Sequence, residues 1–155
     1  MKGAVTEVKN QGGCRAHWAF STVAAMESKL FFDRYGSNLS NLSFQQVLDC
    51  AQSPDNGCKG GRMDTTWGFI TEKGLEEDVD YPNSKDAEVV PEKCNYDEIK
   101  TISFMKHAVG VKPFDVLELK KSIALRPTVL MVDATAYAFK LYRSGVLKSP
   151  KCGRD

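Results

Sequence analysis

The apolar residues of this chain change their period partway along it, and that change limits the fold more than any other feature. Up to about residue 73 they recur at helical spacing, and beyond about residue 100 they gather into short runs. Trp18, Phe20, Val23, Ala24, Leu30 and Phe31 predict one long helix that stops at Tyr35-Gly36, where glycine tolerates the left-handed cap. Ser43-Phe44-Gln45-Gln46 is an S-x-x-Q capping box, whose hydroxyl and amide can satisfy the first N–H groups of a second helix running to about Cys50. A third helix is expected near Met63–Lys73, carrying Trp67, Phe69 and Ile70 and ending at Gly74. Residues 51–62, full of turn formers, predict an exposed loop, and residues 74–96, punctuated by Pro82 and Pro91, an extended one. Ile102-Ser103-Phe104, His107-Ala108-Val109-Gly110-Val111 and Thr128-Val129-Leu130-Met131-Val132 predict strands, with a helix over 116–124 between them. Helices first and strands later is an α+β pattern, with its boundary near residue 100.

Composition narrows the partners. The 155 residues carry 21 Lys and Arg against 20 Asp and Glu, a formal charge of +1, which argues against nucleic acid as a ligand. No apolar run nears the roughly 18–20 residues of a membrane span, so no membrane association is expected. Cys14, Cys50, Cys58, Cys94 and Cys152, with the acceptors Asn38-Leu39-Ser40 and Asn41-Leu42-Ser43, fit an oxidising, glycosylating route. The first ten residues hold no apolar stretch that could act as a signal peptide. The two observations agree if the chain is a portion of a longer precursor.

The chemically informative stretch is Lys9-Asn10-Gln11-Gly12-Gly13-Cys14-Arg15-Ala16-His17-Trp18-Ala19-Phe20-Ser21, a glycine loop feeding the first turn of the long helix. A helix start offers free N–H groups and the positive end of the dipole, so a thiolate is stabilised there. The segment resembles the active-site loop of papain-family cysteine proteases, the cathepsin L branch especially, with its signature C-G-[SA]-C-[WY]. Cys14, Ala16 and Trp18 match; Arg15 stands for the glycine and His17 for the nucleophilic cysteine. Ser43-Phe44-Gln45-Gln46-Val47-Leu48-Asp49-Cys50 is similar to the family's L-S-E-Q-x-L-V-D-C, and Gly57-Cys58-Lys59-Gly60-Gly61-Arg62-Met63-Asp64 to its G-C-N-G-G-L-M-D. Residues 119–134 and Phe139-Lys140-Leu141-Tyr142-Arg143-Ser144-Gly145-Val146 resemble V-G-P-V-S-V-A-I-D-A and F-Q-F-Y-x-S-G-I, so the likeness covers nearly the whole chain. It implies an α+β, papain-like architecture: a helical left domain over residues 1–100, including an N-terminal strand, and an incomplete β-rich right domain, part of a β-barrel, over residues 101–155.

Carried over position by position, the resemblance implies disulfides Cys14–Cys58 and Cys50–Cys94 and leaves Cys152 unpaired within the chain. Gln11 takes the oxyanion-hole position, its amide donating beside the backbone N–H of residue 17, and His17 takes the position of the nucleophile. Gly60 and Gly61 match the wall that binds an extended substrate backbone; Met63 and Ala134 match the main specificity pocket. The family's histidine base is expected roughly 130–150 residues beyond the nucleophile. The chain continues for 138 residues after His17, and residues 147–155 contain neither His nor Asn. His107-Ala108-Val109-Gly110 imitates the family's histidine strand but precedes the 119–134 segment, which the family places ahead of its histidine.

Blander readings stand beside these. His17 could be a ligand, a substitute nucleophile or a tolerated replacement. With only two histidines and neither H-x-x-x-H nor C-x-x-C, neither a metal site nor a cofactor is expected. Cys14 as a shifted nucleophile competes with Cys14 in a structural bridge, which would leave no thiolate. Trp18, Phe20, Trp67 and Phe69 are expected in the core, and without the resemblance Met63 and Ala134 would be placed there too. The expected function is that of a truncated, non-catalytic papain-like homologue that binds peptides, protease inhibitors or propeptides, with a partner chain over the incomplete right domain. The alternatives are a residual cysteine-type peptidase completed by another chain and an inert fragment. The resemblance implies a lysosomal or extracellular location.

Overall fold

The computed structural model describes residues 3–51, 57–83 and 92–148. Its elements are α1 (His17–Asp33), α2 (Phe44–Cys50), α3 (Met63–Lys73), a 3-10 turn (Glu98–Lys100), α4 (Val116–Leu125) and α5 (Tyr137–Lys140). The first four helices stand where the apolar period predicts them, while the short α5 has no counterpart in that reading.

α2 and α3 both pack on α1 and on each other. The core consists of Trp18, Ala19, Val23, Met26 and Leu30 from α1, Val47 and Leu48 from α2, Ile70 from α3, and Cys14, Ala16, Leu42, Ala51, Leu75 and Met105 from the connections. Each large side chain buried in this way contributes about 1.5–3 kcal/mol. Phe20 adds a stacked contact to Phe44, with ring centroids 4.3 Å apart. The buried stripe of α1 is rotated from the expected one: Ala24 is exposed and Phe31 half-buried, while Thr22, Met26 and Glu27 are inside.

Glu27 is the unexpected member of that stripe. Its carboxylate, 1% exposed, accepts hydrogen bonds from the Thr6 hydroxyl at 2.7 Å and the Leu42 N–H at 2.9 Å, and pairs with the Lys9 ammonium. A buried charge persists only when paired and hydrogen-bonded in this way. The contacts fasten residues 3–10 along α1, helped by the Ser28 hydroxyl donating to the Ala4 carbonyl at 2.7 Å. The expected N-terminal strand is therefore a tethered extended segment; among the described residues, 3–10 join no β-ladder.

The capping box forms only in half. Ser43 Oγ accepts from the Gln46 N–H at 2.9 Å, but Gln46 Oε1 turns away to accept from the Glu76 N–H at 2.8 Å, and the Ser43 N–H donates to the Glu76 carbonyl at 3.0 Å. That exchange draws residues 74–76 inside, so the stretch expected as extended loop buries Gly74, Leu75, Glu76 and Tyr81. Gly74, with φ +71°, ends α3 so close to Thr101 Cγ2 that a Cβ there would lie 2.4 Å away. The Cys50–Cys94 disulfide holds α2 to residues 92–97, and Cys14–Cys58 holds the glycine loop to the segment before α3.

Of the three predicted strands, two do not pair among the described residues. Among the described residues the β pairing consists of isolated antiparallel bridges, Leu42 with Glu77, Gly57 with Gly60 and Leu75 with Ser103. Ser103 thus joins the helical body, whereas 107–111 and 128–132 run without a ladder. A strand exists only with a neighbour to accept its N–H groups, and those segments have none within the described residues. Leu130, Met131 and Val132 are 49%, 89% and 61% exposed, and no described residue beyond Met105 is buried. Residues 52–56, Pro91 and Cys152 lie outside the described residues.

Candidate functional site

The loop of residues 10–16 is shaped by its own backbone. Gly12, at φ +59°, donates its N–H to Asn10 Oδ1 at 2.9 Å, and the Cys14 N–H donates to the Gln11 carbonyl at 3.3 Å. The turn delivers Cys14 to Cys58, with Cα atoms 4.4 Å apart, and the Arg15 N–H adds a hydrogen bond to the Cys58 carbonyl at 3.0 Å. Cys14 therefore carries no free thiol. Ala16 caps α1 without any side-chain hydrogen bond, so the first-turn N–H groups and the positive dipole end emerge beside an exposed His17.

One residue further on, Trp18 is buried and organises the opposite wall. Its indole N–H donates to the Gly57 carbonyl at 3.1 Å, and a Cβ on Gly61 would lie 2.5 Å from Trp18 Cδ2. Gly61 is thus required by close approach, whereas Gly60, at φ +130° and bridged to Gly57, is required by backbone conformation. The result is a half-buried Gly60-Gly61 ledge against the indole, joined to the loop of Gln11 and His17 by the disulfide.

Met63 and Trp67 of α3 face elsewhere, into an open cleft of about 770 Å³ between α1, α3 and residues 107–111 and 125–131. His107 lines that cleft; Gln11, His17, Gly60, Gly61 and Ala134 do not. Ala134 is exposed, so Met63 and Ala134 do not share a pocket here. The structure brings together Gln11, Cys14, His17, Trp18, Gly60 and Gly61, and sets Met63, His107 and Ala134 apart from them.

Two charged features escaped the sequence reading. Arg62, next to the ledge, makes a forked ion pair with Asp64 at 3.0 and 2.6 Å, and the guanidinium pulls the Asp64 carboxyl down to about 2. An Arg-x-Asp pair at a helix start was the available signal. On α2, Asp49 accepts from Gln45 Nε2 at 2.8 Å, the Tyr81 hydroxyl at 2.9 Å and the Glu92 N–H at 2.6 Å. Burial nonetheless raises the carboxyls of Asp49, Glu76 and Asp78 above their ordinary values and pushes the Tyr81 phenol up to about 12. No local pattern marks these groups, because they are buried by residues distant in the chain.

The sequence pattern described as papain family cysteine protease matches residues 1–155. The chain is 39% identical over 157 residues to cysteine protease XCP2 of Arabidopsis thaliana, covering 99% of this chain and 42% of that protein. It is 35% identical over 156 residues to cathepsin S of Mus musculus, covering 97% and 44%. Among solved structures, digestive procathepsin L 3 of the Tenebrio molitor larval midgut superposes with a TM-score of 0.70 at 31% identity, over 79% of this chain and 39% of that one. The chain spans less than half the length of these relatives. With helices, disulfide-tied glycine loop and ledge all accounted for by a match that runs from its first residue to its last, the chain belongs to the papain family of cysteine proteases.

Proposed function

We propose that this papain-family chain is a non-catalytic binder of extended peptide, including the inhibitors and propeptides of active relatives, with His17 at the position of the attacking sulfur. The observation that carries the reading is the helix start itself: an imidazole occupies its exposed first position, and the neighbouring sulfur, Cys14, is held by Cys58. Acyl transfer through cysteine needs a thiolate activated by a base. His107, the other histidine, lines a cleft that His17 does not reach. Catalytic groups act as a unit, so an oxyanion donor such as Gln11 leaves at most background stabilisation by itself. The retained ledge supports binding, because Gly60 and Gly61 keep side chains away from backbone that a β-extended ligand could pair with.

The exposed apolar side chains at 130–132 favour covering of that face by additional polypeptide. Two disulfides favour a lysosomal or extracellular setting. The test is titration calorimetry with an extended peptide and with a papain-family propeptide, alongside a cysteine-directed epoxide probe. Saturable binding without covalent labelling is expected, and Gly61→Glu should abolish binding while circular dichroism checks that the helices remain. Labelling of the oxidised protein, or absence of any binding by the wild-type chain, refutes the reading.

A further inference from the structure

The two adjacent Asn-x-Ser acceptors lie on the connection between α1 and α2, and the structure treats them differently. Both asparagines are exposed. In the first acceptor, Leu39 is 36% exposed, and Ser40, buried at 8% exposed, accepts a hydrogen bond at its Oγ from Arg34 Nη1 at 3.1 Å. In the second, Leu42 and Ser43 are both fully buried. Ser43 Oγ caps α2 by accepting from the Gln46 N–H at 2.9 Å and donates to the Tyr81 carbonyl at 2.6 Å. The Asn41 carbonyl accepts from the Asp78 N–H at 2.9 Å, and Leu42 bridges Glu77.

From this contrast we propose that Asn38 is a site of N-linked glycosylation and that Asn41 is not. The inference is independent of peptide binding. In the transfer, Asn38 Nδ2 attacks the anomeric carbon of a lipid-pyrophosphate-linked oligosaccharide. An N–C bond forms, the C–O bond to the pyrophosphate breaks with its electron pair leaving on the lipid pyrophosphate, and an amide proton passes to a base of the transferase. The enzyme must bind asparagine and serine hydroxyl together in extended chain. Once α2 nucleates on its Ser43 cap and residues 75–81 close over it, the second acceptor loses its hydroxyl to the fold, whereas the first needs a local opening of the 34–40 turn that releases Ser40 from Arg34. Asn38 also follows the C-terminal end of α1, and that end lies about 25 Å along the helix from His17 at 1.5 Å per residue. A glycan there leaves the candidate site clear.

The experiment expresses the full chain behind a secretory leader in eukaryotic cells and reads total lysate and medium by mobility before and after peptide N-glycosidase. One glycan step is expected in the wild type, retained in Asn41→Gln and Ser40→Thr, and lost in Asn38→Gln and Ser40→Ala. Ser40→Ala keeps the asparagine, so loss in both variants assigns the acceptor independently of any folding effect at residue 38. Mobility unchanged by the glycosidase, a two-step ladder, or a shift lost in Asn41→Gln overturns the proposal.

Discussion

α1 and α4 stand in the two halves of the chain and reverse the usual relation between local signal and burial. α4 is the better-specified helix: Asp115 Oδ1 caps it by accepting from the Glu118 N–H at 2.9 Å, and Glu118 sits in its first turn. Yet none of its residues is buried. α1 has no side-chain cap, no acidic residue in its first turn and no basic residue in its last, and it carries the centre of the core. Capping and dipole effects contribute about 1 kcal/mol each. Packing of several large side chains contributes several times that, so a surface to pack against decides which helix is stable. The same contrast holds between residues 14–105, which contain nearly all of the buried residues, and residues 106–148, which contain none.

That contrast can be broken most forcefully at Glu27. Glu27→Ala strands Lys9 and leaves the buried Leu42 N–H and the Thr6 hydroxyl without their acceptor, for an expected loss of about 3–5 kcal/mol. Denaturant unfolding followed by far-UV circular dichroism checks it, and a loss below about 1 kcal/mol would show that the pair does not hold the helical half together. Opening Cys50–Cys94 by replacing both cysteines with serine comes next. For a separation of 44 residues the chain-entropy description gives about 4 kcal/mol, and engineered and native bridges typically return about 2–4. The same melt on the wild type and on the double-serine variant, both without reductant, measures it.

Acidity should sharpen the comparison further, because the raised carboxyls Asp49, Glu76 and Asp78 all belong to the helical half. Burial is the leading cause for each, and the Glu92 charge adds to it at Asp49. A carboxyl raised by folding binds its proton more tightly in the native state than in the unfolded one. Its penalty is fully present above the folded value and is relieved as pH falls toward the ordinary carboxylate range. The helical half is therefore expected to melt higher near pH 5 than near pH 7.5, with a smaller difference in Asp49→Asn. Asp64, held down to about 2 on the exposed surface, acts in the opposite direction only at far lower pH. A melting temperature that falls steadily from neutral to pH 5 would contradict the assignment. The smallest effects are expected at Met131→Ser and Val132→Ser, within about 0.5 kcal/mol, since both side chains are exposed. Hydrogen exchange should agree, with slow amides in α1 and fast ones in α4.

His17→Cys tests the functional half of the picture. In a polypeptide of these residues it should restore sulfur chemistry toward the epoxide probe without restoring peptidase turnover, because His107 lines a different cleft. Turnover proportional to enzyme concentration would mean that a base reaches residue 17 after all.

Much of this was legible in the residues themselves. Helix positions follow from a period that repeats every few residues, and Ser43, Gly36 and Gly74 mark starts and stops within a single turn. The pairing of Cys14 with Cys58 and the part played by Gly60-Gly61 came only from the resemblance to the papain family, against whose motif the histidine at residue 17 also stands out. Tertiary structure alone decided that Gln46 would abandon its capping box for Glu76, that Glu27 rather than Ala24 would face inward, that residues 74–76 would be core rather than loop, and that 107–111 and 128–132 would lie unpaired among the described residues. A helix satisfies its hydrogen bonds from its own next turn, so its signal is local. A strand or a buried carboxylate is completed by groups tens of residues away, and nothing in the neighbouring sequence states whether they arrive.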